Sequence, residues 1–233
     1  RTLVVLIQGM PLAAAVAPRT GGVTTFTTSA LISGSHNITA SYGGDPDYFV
    51  SVSPVLVQVV IPDTSIVANP PDPDSDTTPV FAFTSPDPAA TFQCRMDGGV
   101  FTACISGDAF GPITAGSHTF EVRAVNTSNT PDPTPASYTW TVDLTAPDTT
   151  INSNPPAVTN ILDAAFTFSS AAVDLASFEC QLDGGGFAAC TTPLNYTGLT
   201  PGSHTFQVRA IDNVGNVDPS PATYTWVIDL AYP

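Results

Sequence analysis

Lysine is absent from this chain and glutamate nearly so: of 20 acidic residues, all but Glu121 and Glu179 are aspartate. The five basic residues are arginines, and the formal net charge at pH 7 is −15. Glu and Lys are good helix formers, whereas Asp competes for backbone groups and favours turns and caps. Their imbalance argues for strands. The shortage of clustered cations excludes phosphate-backbone binding, so nucleic acid is not an expected partner, and an anionic membrane surface is disfavoured as well. No apolar run reaches the ~18 to 20 residues that a membrane span needs. Glycine (17) and proline (23) are plentiful, yet below the ~25–30% of low-complexity disorder. A hydrophobic content of 42% suffices for packed cores, and 233 residues fit one or two domains on length alone.

What is present is a repeat. Cys94 and Cys180, Cys104 and Cys190, His118 and His204, Arg123 and Arg209, and Trp140 and Trp226 all stand 86 residues apart. The copies begin "PDTSIVANPP" and "PDTTINSNPP" and share "GSHTFEVRAV"/"GSHTFQVRAI" and "PASYTWTVDL"/"PATYTWVIDL". That period is too long for a solenoid unit and suits one small domain with its own core. Within a copy, "VFAFTS", "HTFEVRAV" and "YTWTVD" alternate apolar and polar residues, the mark of strands with one buried face. Turn signals such as "DGG", "PGS" and "DNVGN" separate them. The expected fold is all-β: antiparallel sandwiches of immunoglobulin or fibronectin type.

Residues 1–61 lack the cysteine segment but carry "GSHNITASY" in the register of the other "GSH" strands. The expected division is therefore an incomplete first Ig-like domain (1–61) and two complete ones (62–146 and 147–233). The opening "RTLVVLIQGMPLAAAVAP" has the basic, apolar and small-residue order of a signal peptide; the expectation is an ordered strand. Thr2, Leu3, Val4, Val5, Leu6 and Ile7 are apolar enough to add to an open sheet edge, their own or a partner's, and so are candidates for strand exchange.

The stretch "GGVTTFTTSALISGSHNITASYGGDPDYFVSVSPVLVQVV" resembles bacterial Ig-like repeats that end in a G(T/S)H-x-I-x-A-x-Y-x-G-D strand. The two later copies resemble another bacterial Ig-like repeat, through F-x-C-x-L-D-G-G-x-F-x-x-C, G-S-H-T-F-x-V-R-A and D-x-x-G-N-x-D-P-(T/S)-P-A. The first of these copies departs from the pattern at "VNTSNTPDP". The resemblance implies stalks, spacers and adhesive parts of long secreted or surface proteins. Fold by itself does not establish function.

The four cysteines form two copies of one segment, "FQCRMDGGVFTAC" and "FECQLDGGGFAAC". A hairpin with loop Gly98–Val100 sets Asp97 against Phe101 and Cys94 opposite Cys104. In the second copy a Gly184–Gly186 loop sets Cys180 opposite Cys190. Directly opposite residues come close enough to bridge. Zinc needs two such pairs to converge, and a redox motif prefers C-x-x-C at a helix N-terminus. Structural disulfides are the reading, with reduced thiols, metal or redox chemistry as alternatives, and disulfides imply an extracellular or cell-surface setting.

Each of the three histidines, His36, His118 and His204, follows a serine. Neighbours on a strand point to opposite faces, so Ser and His in one repeat cannot form a nucleophile–base pair. No enzyme is expected. No cofactor is required, but calcium is a candidate, because Asp143, Asp148, Asp212, Asn213, Asn216 and Asp218 supply hard oxygen ligands in loops; the competing reading is turn-making Asx chemistry. Asn37, Asn126 and Asn195 begin Asn-x-Ser/Thr sequons and are candidate glycosylation sites. The leading expectation is a non-enzymatic stalk or fibre subunit, associating head-to-tail or flanked by neighbouring repeats. The alternative is a carbohydrate- or surface-binding module, or a phage-type appendage, with its specificity in loops such as "GGDPDYF", where Tyr48 and Phe49 offer aromatic surface.

Overall fold

The structure, a computed structural model, describes residues 2–7, 10–16, 31–47 and 49–231. These residues form β-strands and no helix. The chain divides into two compact units. One comprises Arg1–Pro71, Thr78–Ile113 and Ser117–Trp140; the other comprises Asp72–Thr77, Thr114–Gly116 and Thr141–Pro233.

In the first unit, β1 (Thr2–Ile7), β2 (Met10–Val16), β3 (Gly34–Tyr42), β4 (Ser51–Val52) and β5 (Leu56–Val60) make one sheet. Its order is β2-β1-β3-β4, and β5 pairs with the other half of β3. Strand β1 lies between β2 and β3 of its own chain, with Leu3 opposite both Ala15 and Tyr42. Thr2–Ile7 is thus an interior strand. The edge of β3 away from β1 is formed by β4 and β5, which take successive parts of it.

The first copy continues with β6 (Ser65–Ala68), β7 (Ala82–Thr84), β8 (Thr91–Met96), β9 (Thr102–Cys104), β10 (Gly116–Val125) and β11 (Ala136–Val142). Strands β6 and β7 pair in one sheet, and the other runs β11-β10-β8-β9. Alternation on β10 sends Phe120, Val122 and Ala124 fully inside, where they meet Phe81, Phe83, Cys94 and Trp140. The Phe81 ring stacks on Phe120 at 4.0 Å and meets Trp140 edge-on at 5.3 Å.

The second copy consists of β12 (Thr150–Ser153), β13 (Val158–Thr159), β14 (Ala164–Ser169), β15 (Leu175–Leu182), β16 (Ala188–Cys190), β17 (Leu194–Tyr196), β18 (Gly202–Asp212) and β19 (Ala222–Ile228). A three-stranded sheet, β12-β14-β17, faces a five-stranded one, β13-β19-β18-β15-β16. Phe166 and Phe168 from the first meet Phe206, Val208, Trp226, Ile228 and Cys180 from the second in one core. Phe166 stacks on Phe206 at 4.1 Å and meets Trp226 at 5.3 Å, repeating the first copy's aromatic geometry. Each such ring contributes about 1.5–3 kcal/mol by burial, and together they fix how the two sheets face each other.

Buried threonines tie the strand ends to the core. Thr64 Oγ1 accepts from Ala124 N–H and donates to Asp132, and Thr149 Oγ1 accepts from Ala210 N–H in the second copy. The Asp132 and Asp218 carboxylates, both nearly fully buried, close the D-P-T and D-P-S turns by accepting from the Thr134 and Ser220 N–H and hydroxyl groups.

Candidate functional site

Each long repeat presents the same hairpin. Cys94 is bonded to Cys104 and Cys180 to Cys190, both with Cα atoms 5.8 Å apart. The register differs from the one that the sequence suggested. Cys94 stands opposite Thr102 and Cys104 opposite Phe92, so the cysteines are diagonal partners on one face rather than directly opposed. Likewise Cys180 faces Ala188 and Cys190 faces Phe178. The cause is the turn. Asp97 (φ 51°) and Gly98 (φ 71°) both occupy the left-handed region, and Gly99 N–H donates to Met96 carbonyl at 2.9 Å. That is the tight primed turn favoured by Asp-Gly, closing one residue earlier than a three-residue loop starting at Gly98.

Asp97 therefore sits in the turn and does not face Phe101. Its carboxylate takes the Thr119 N–H at 2.8 Å and the His118 Nδ1 at 2.8 Å, clasping the hairpin tip to β10. Asp183 repeats this with Thr205 N–H and His204 Nδ1, both at 2.7 Å. Burial at the tip opposes ionisation of Asp183, but the His204 ring and the Thr205 N–H outweigh it and hold the carboxyl below the usual Asp range. For Asp97 burial is likewise outweighed, by the Thr119 N–H and then His118. The Thr200 carbonyl and Asp183 together raise the His204 pKa above its ordinary value.

The Asp–His pair looks like the orienting half of a hydrolase triad. However, His204 Nε2 is bonded to the Thr200 carbonyl at 2.7 Å. A carbonyl and an ionised carboxylate only accept, so both ring nitrogens must donate, and only the imidazolium does that. It cannot serve as a general base. Ser203 is exposed while His204 is buried, as strand alternation requires. His36 makes the same contact with a carbonyl four residues back, Ile32, at 2.7 Å.

The outer face of each hairpin carries a cation stacked on an aromatic ring. In the first copy Arg95 lies 4.4 Å and Arg123 4.0 Å from the Phe101 ring centroid. Arg95 forks onto Glu121 through two 2.7 Å bonds, while Arg123 bonds the neutral Gln93. In the second copy Arg209 stacks on Phe187 at 4.1 Å and pairs with Glu179 at 2.7 Å. The only two glutamates of the sequence are both cross-strand partners of arginine.

Of the calcium candidates, Asp143 and Asp212 come together, and Asp174 joins them: one carboxylate oxygen from each lies within 4.8 Å of the others. Asn216 Nδ2 donates to the Asp143 carbonyl and to Asp212, so its nitrogen braces the group. Asn213 is exposed, its N–H donating to the Asp174 carbonyl; Asp218 closes its own turn, and Asp148 is exposed outside the cluster. Three carboxylates supply hard oxygens of the kind calcium takes, three of the six to eight that its shell holds. Asp174 escaped sequence reading because nothing local marks it. Its place follows from the pairing of β15 with β18, which sets Leu175 opposite Asp212.

The sequons divide. Asn37 and Asn195 are exposed, whereas Asn126 is buried and its Oδ1 accepts from Ser128 and Thr130 N–H groups, shaping a loop. Its Nδ2, the atom a glycan would use, is shut off from solvent. Tyr48 lies outside the described residues, and Phe49 is 95% exposed.

Fold and site together define an all-β protein of tandem Ig-like sandwiches with a disulfide-stapled, His-clasped hairpin in both long repeats. No protein-family model matches the sequence, and no curated protein does. Solved structures do. The chain is similar to fibronectin(III)-like modules of CbhA from Clostridium thermocellum, with 14% identity over 72% of this chain and 94% of that one, TM-score 0.41. It is also similar to a structure of a 1.5-MDa bacterial ice-binding adhesin, 13% identical over 97% and 84% of the two chains, TM-score 0.42. A tetra-tandem repeat from the extending region of a large adhesion protein matches at 17% identity over 98% and 67%, TM-score 0.34.

Proposed function

We propose that this is a non-catalytic structural or adhesive protein of the cell exterior: a row of three tandem Ig-like domains (1–61, 62–146 and 147–233) serving as a surface stalk or as a subunit of an extracellular fibre. The observation that carries this reading is the surface of β4 and β5. Val50, Val52, Val55, Leu56, Val57, Val59 and Ile61 are all exposed. Consecutive strand residues point to opposite faces, so exposure of both Leu56 and Val57 leaves both faces of β5 open. Large apolar side chains exposed along one strand on this scale suit an interaction surface. Among the described residues no strand pairs the edge of β4 and β5 away from β3, and such an edge suits strand addition from a neighbouring repeat or subunit.

Two further features support the reading. Disulfides persist in oxidising compartments, and the short proline-containing joints "VVIPDT" and "LTAPDT" leave little slack. Thr2–Ile7 adds to its own sheet, between β2 and β3, and the edge offered to a partner in this reading is Ser51–Val60. Exposed Asn37 and Asn195 are the sequons open to glycans, and intact-mass measurement of the native protein decides their use. The assembly is tested by electron microscopy and sedimentation of the purified protein. Filaments or oligomers that a Val57→Lys/Val59→Lys variant abolishes are the expected result; monomers at every concentration overturn it.

A further inference from the structure

The first unit contains a cavity of about 260 Å³ beside the end of β5. Its walls are Leu31, Ile32 and Ser33, just before β3, and Val60, Ile61, Pro62 and Asp63, just after β5; Pro86 and Asp87 close it. Pockets for drug-sized ligands run to roughly 300–1,000 Å³, so this one suits a single side chain. Of the described residues that line it six are apolar, and the others are Ser33 and two aspartates.

The charge inside is one-sided. Asp87 keeps 8% of its surface, accepts from Ala89 N–H at 3.0 Å and from the Ser33 hydroxyl, and has no cation among the described lining residues. Asp63 adds a second, exposed carboxylate at the rim. A mostly buried anion among aliphatic walls is unfavourable unless a counter-charge reaches it. The arginines of the described residues are engaged elsewhere, on Phe101, Phe187 and their cross-strand partners. The sequence contains no lysine.

We infer that this cavity receives a lysine side chain from a different protein, its methylene stem against Ile32, Ile61 and Pro86 and its ammonium between Asp87, Asp63 and Ser33. Lysine fits better than arginine. Each carboxylate oxygen of Asp87 accepts one hydrogen bond and keeps one lone pair, and in a cavity this small those are met better by a compact ammonium than by the broader guanidinium plane. The stem matters as much as the head, since long cationic side chains bury their methylenes along apolar surface. This inference is independent of the stalk-or-fibre reading, because a lysine-bearing partner can dock on a monomer as well as on an assembly.

The test is a titration of the intact protein with Nα-acetyl-lysine N-methylamide, followed through the backbone amide NMR signals of Ile32, Ser33, Ile61, Asp63 and Asp87. Saturable shifts confined to these residues are expected, with the neutral isostere Nα-acetyl-norleucine N-methylamide binding roughly tenfold more weakly. Asp63→Asn, at the exposed rim, and Asp87→Asn, which keeps an acceptor for Ala89, should each weaken the lysine probe and leave the norleucine probe unchanged. Equal binding of the two probes, no binding of either, or lysine shifts spread over acidic loops and insensitive to both variants would overturn the proposal.

Discussion

Gln93 and Glu179 occupy equivalent positions opposite Arg123 and Arg209, and the difference between them isolates one charge. In the second copy the arginine has a carboxylate partner; in the first it has an amide. Gln93→Glu should therefore stabilise the first unit by about 0.2–1 kcal/mol, the usual worth of a half-exposed cross-strand pair. Glu179→Gln should cost the second a similar amount, and chemical denaturation of both variants reads the difference. The His204–Asp183 clasp has a signed dependence on pH. The raised His204 pKa gives stability that is complete below about 6.5, the unfolded value, and lost as pH rises through the folded value. The lowered Asp183 pKa gives stability that is present above about 3.9 and lost as pH falls through its folded value. Melting temperature should thus be highest in the mildly acidic range. His204→Gln should flatten the alkaline limb, and an unchanged limb in that variant would remove the clasp from the account.

At the scale of the element, alternation carried most of the information. Phe120, Val122, Ala124 and their counterparts Phe206, Val208 and Ala210 are all fully buried, because a strand with one wet face leaves the sequence no other period. The hairpin register was less legible. "DGG" serves both a three-residue loop and a tight Asp-Gly turn, and the choice rests on whether Asp97 takes a positive φ. His118 and Thr119, some twenty residues away, favour that choice by binding the carboxylate, so local sequence does not display it. The diagonal disulfide follows from the same register. Cys180→Ala/Cys190→Ala should lower stability by about 2–3 kcal/mol in the loop-entropy account. The clasp holds the tip independently, so the strands should persist. Retained β-sheet circular dichroism with an earlier denaturation midpoint is the expected signature.

For the whole molecule, charge sets the terms. With a formal net charge of −15, self-repulsion opposes compaction wherever carboxylates gather, and the triad of Asp143, Asp174 and Asp212 is one such place. Only part of it was visible in the sequence: Asp143 and Asp212 stood out in Asx-rich loops, while Asp174 needed the strand pairing. The first copy has Pro88 and Asn126 at the positions of Asp174 and Asp212, so any cation taken there distinguishes the two copies. A divalent ion that binds the folded state alone stabilises it by mass action, about 2.7 kcal/mol at a hundredfold excess over its dissociation constant. If calcium occupies the three carboxylates, adding it to chelator-treated protein raises the melting temperature of the unit containing Thr141–Pro233. Asp174→Asn should abolish most of that rise while leaving the calcium-free melting temperature equal or higher, since it also relieves repulsion. A melting curve that neither calcium nor EDTA moves would assign these aspartates to turn-making alone.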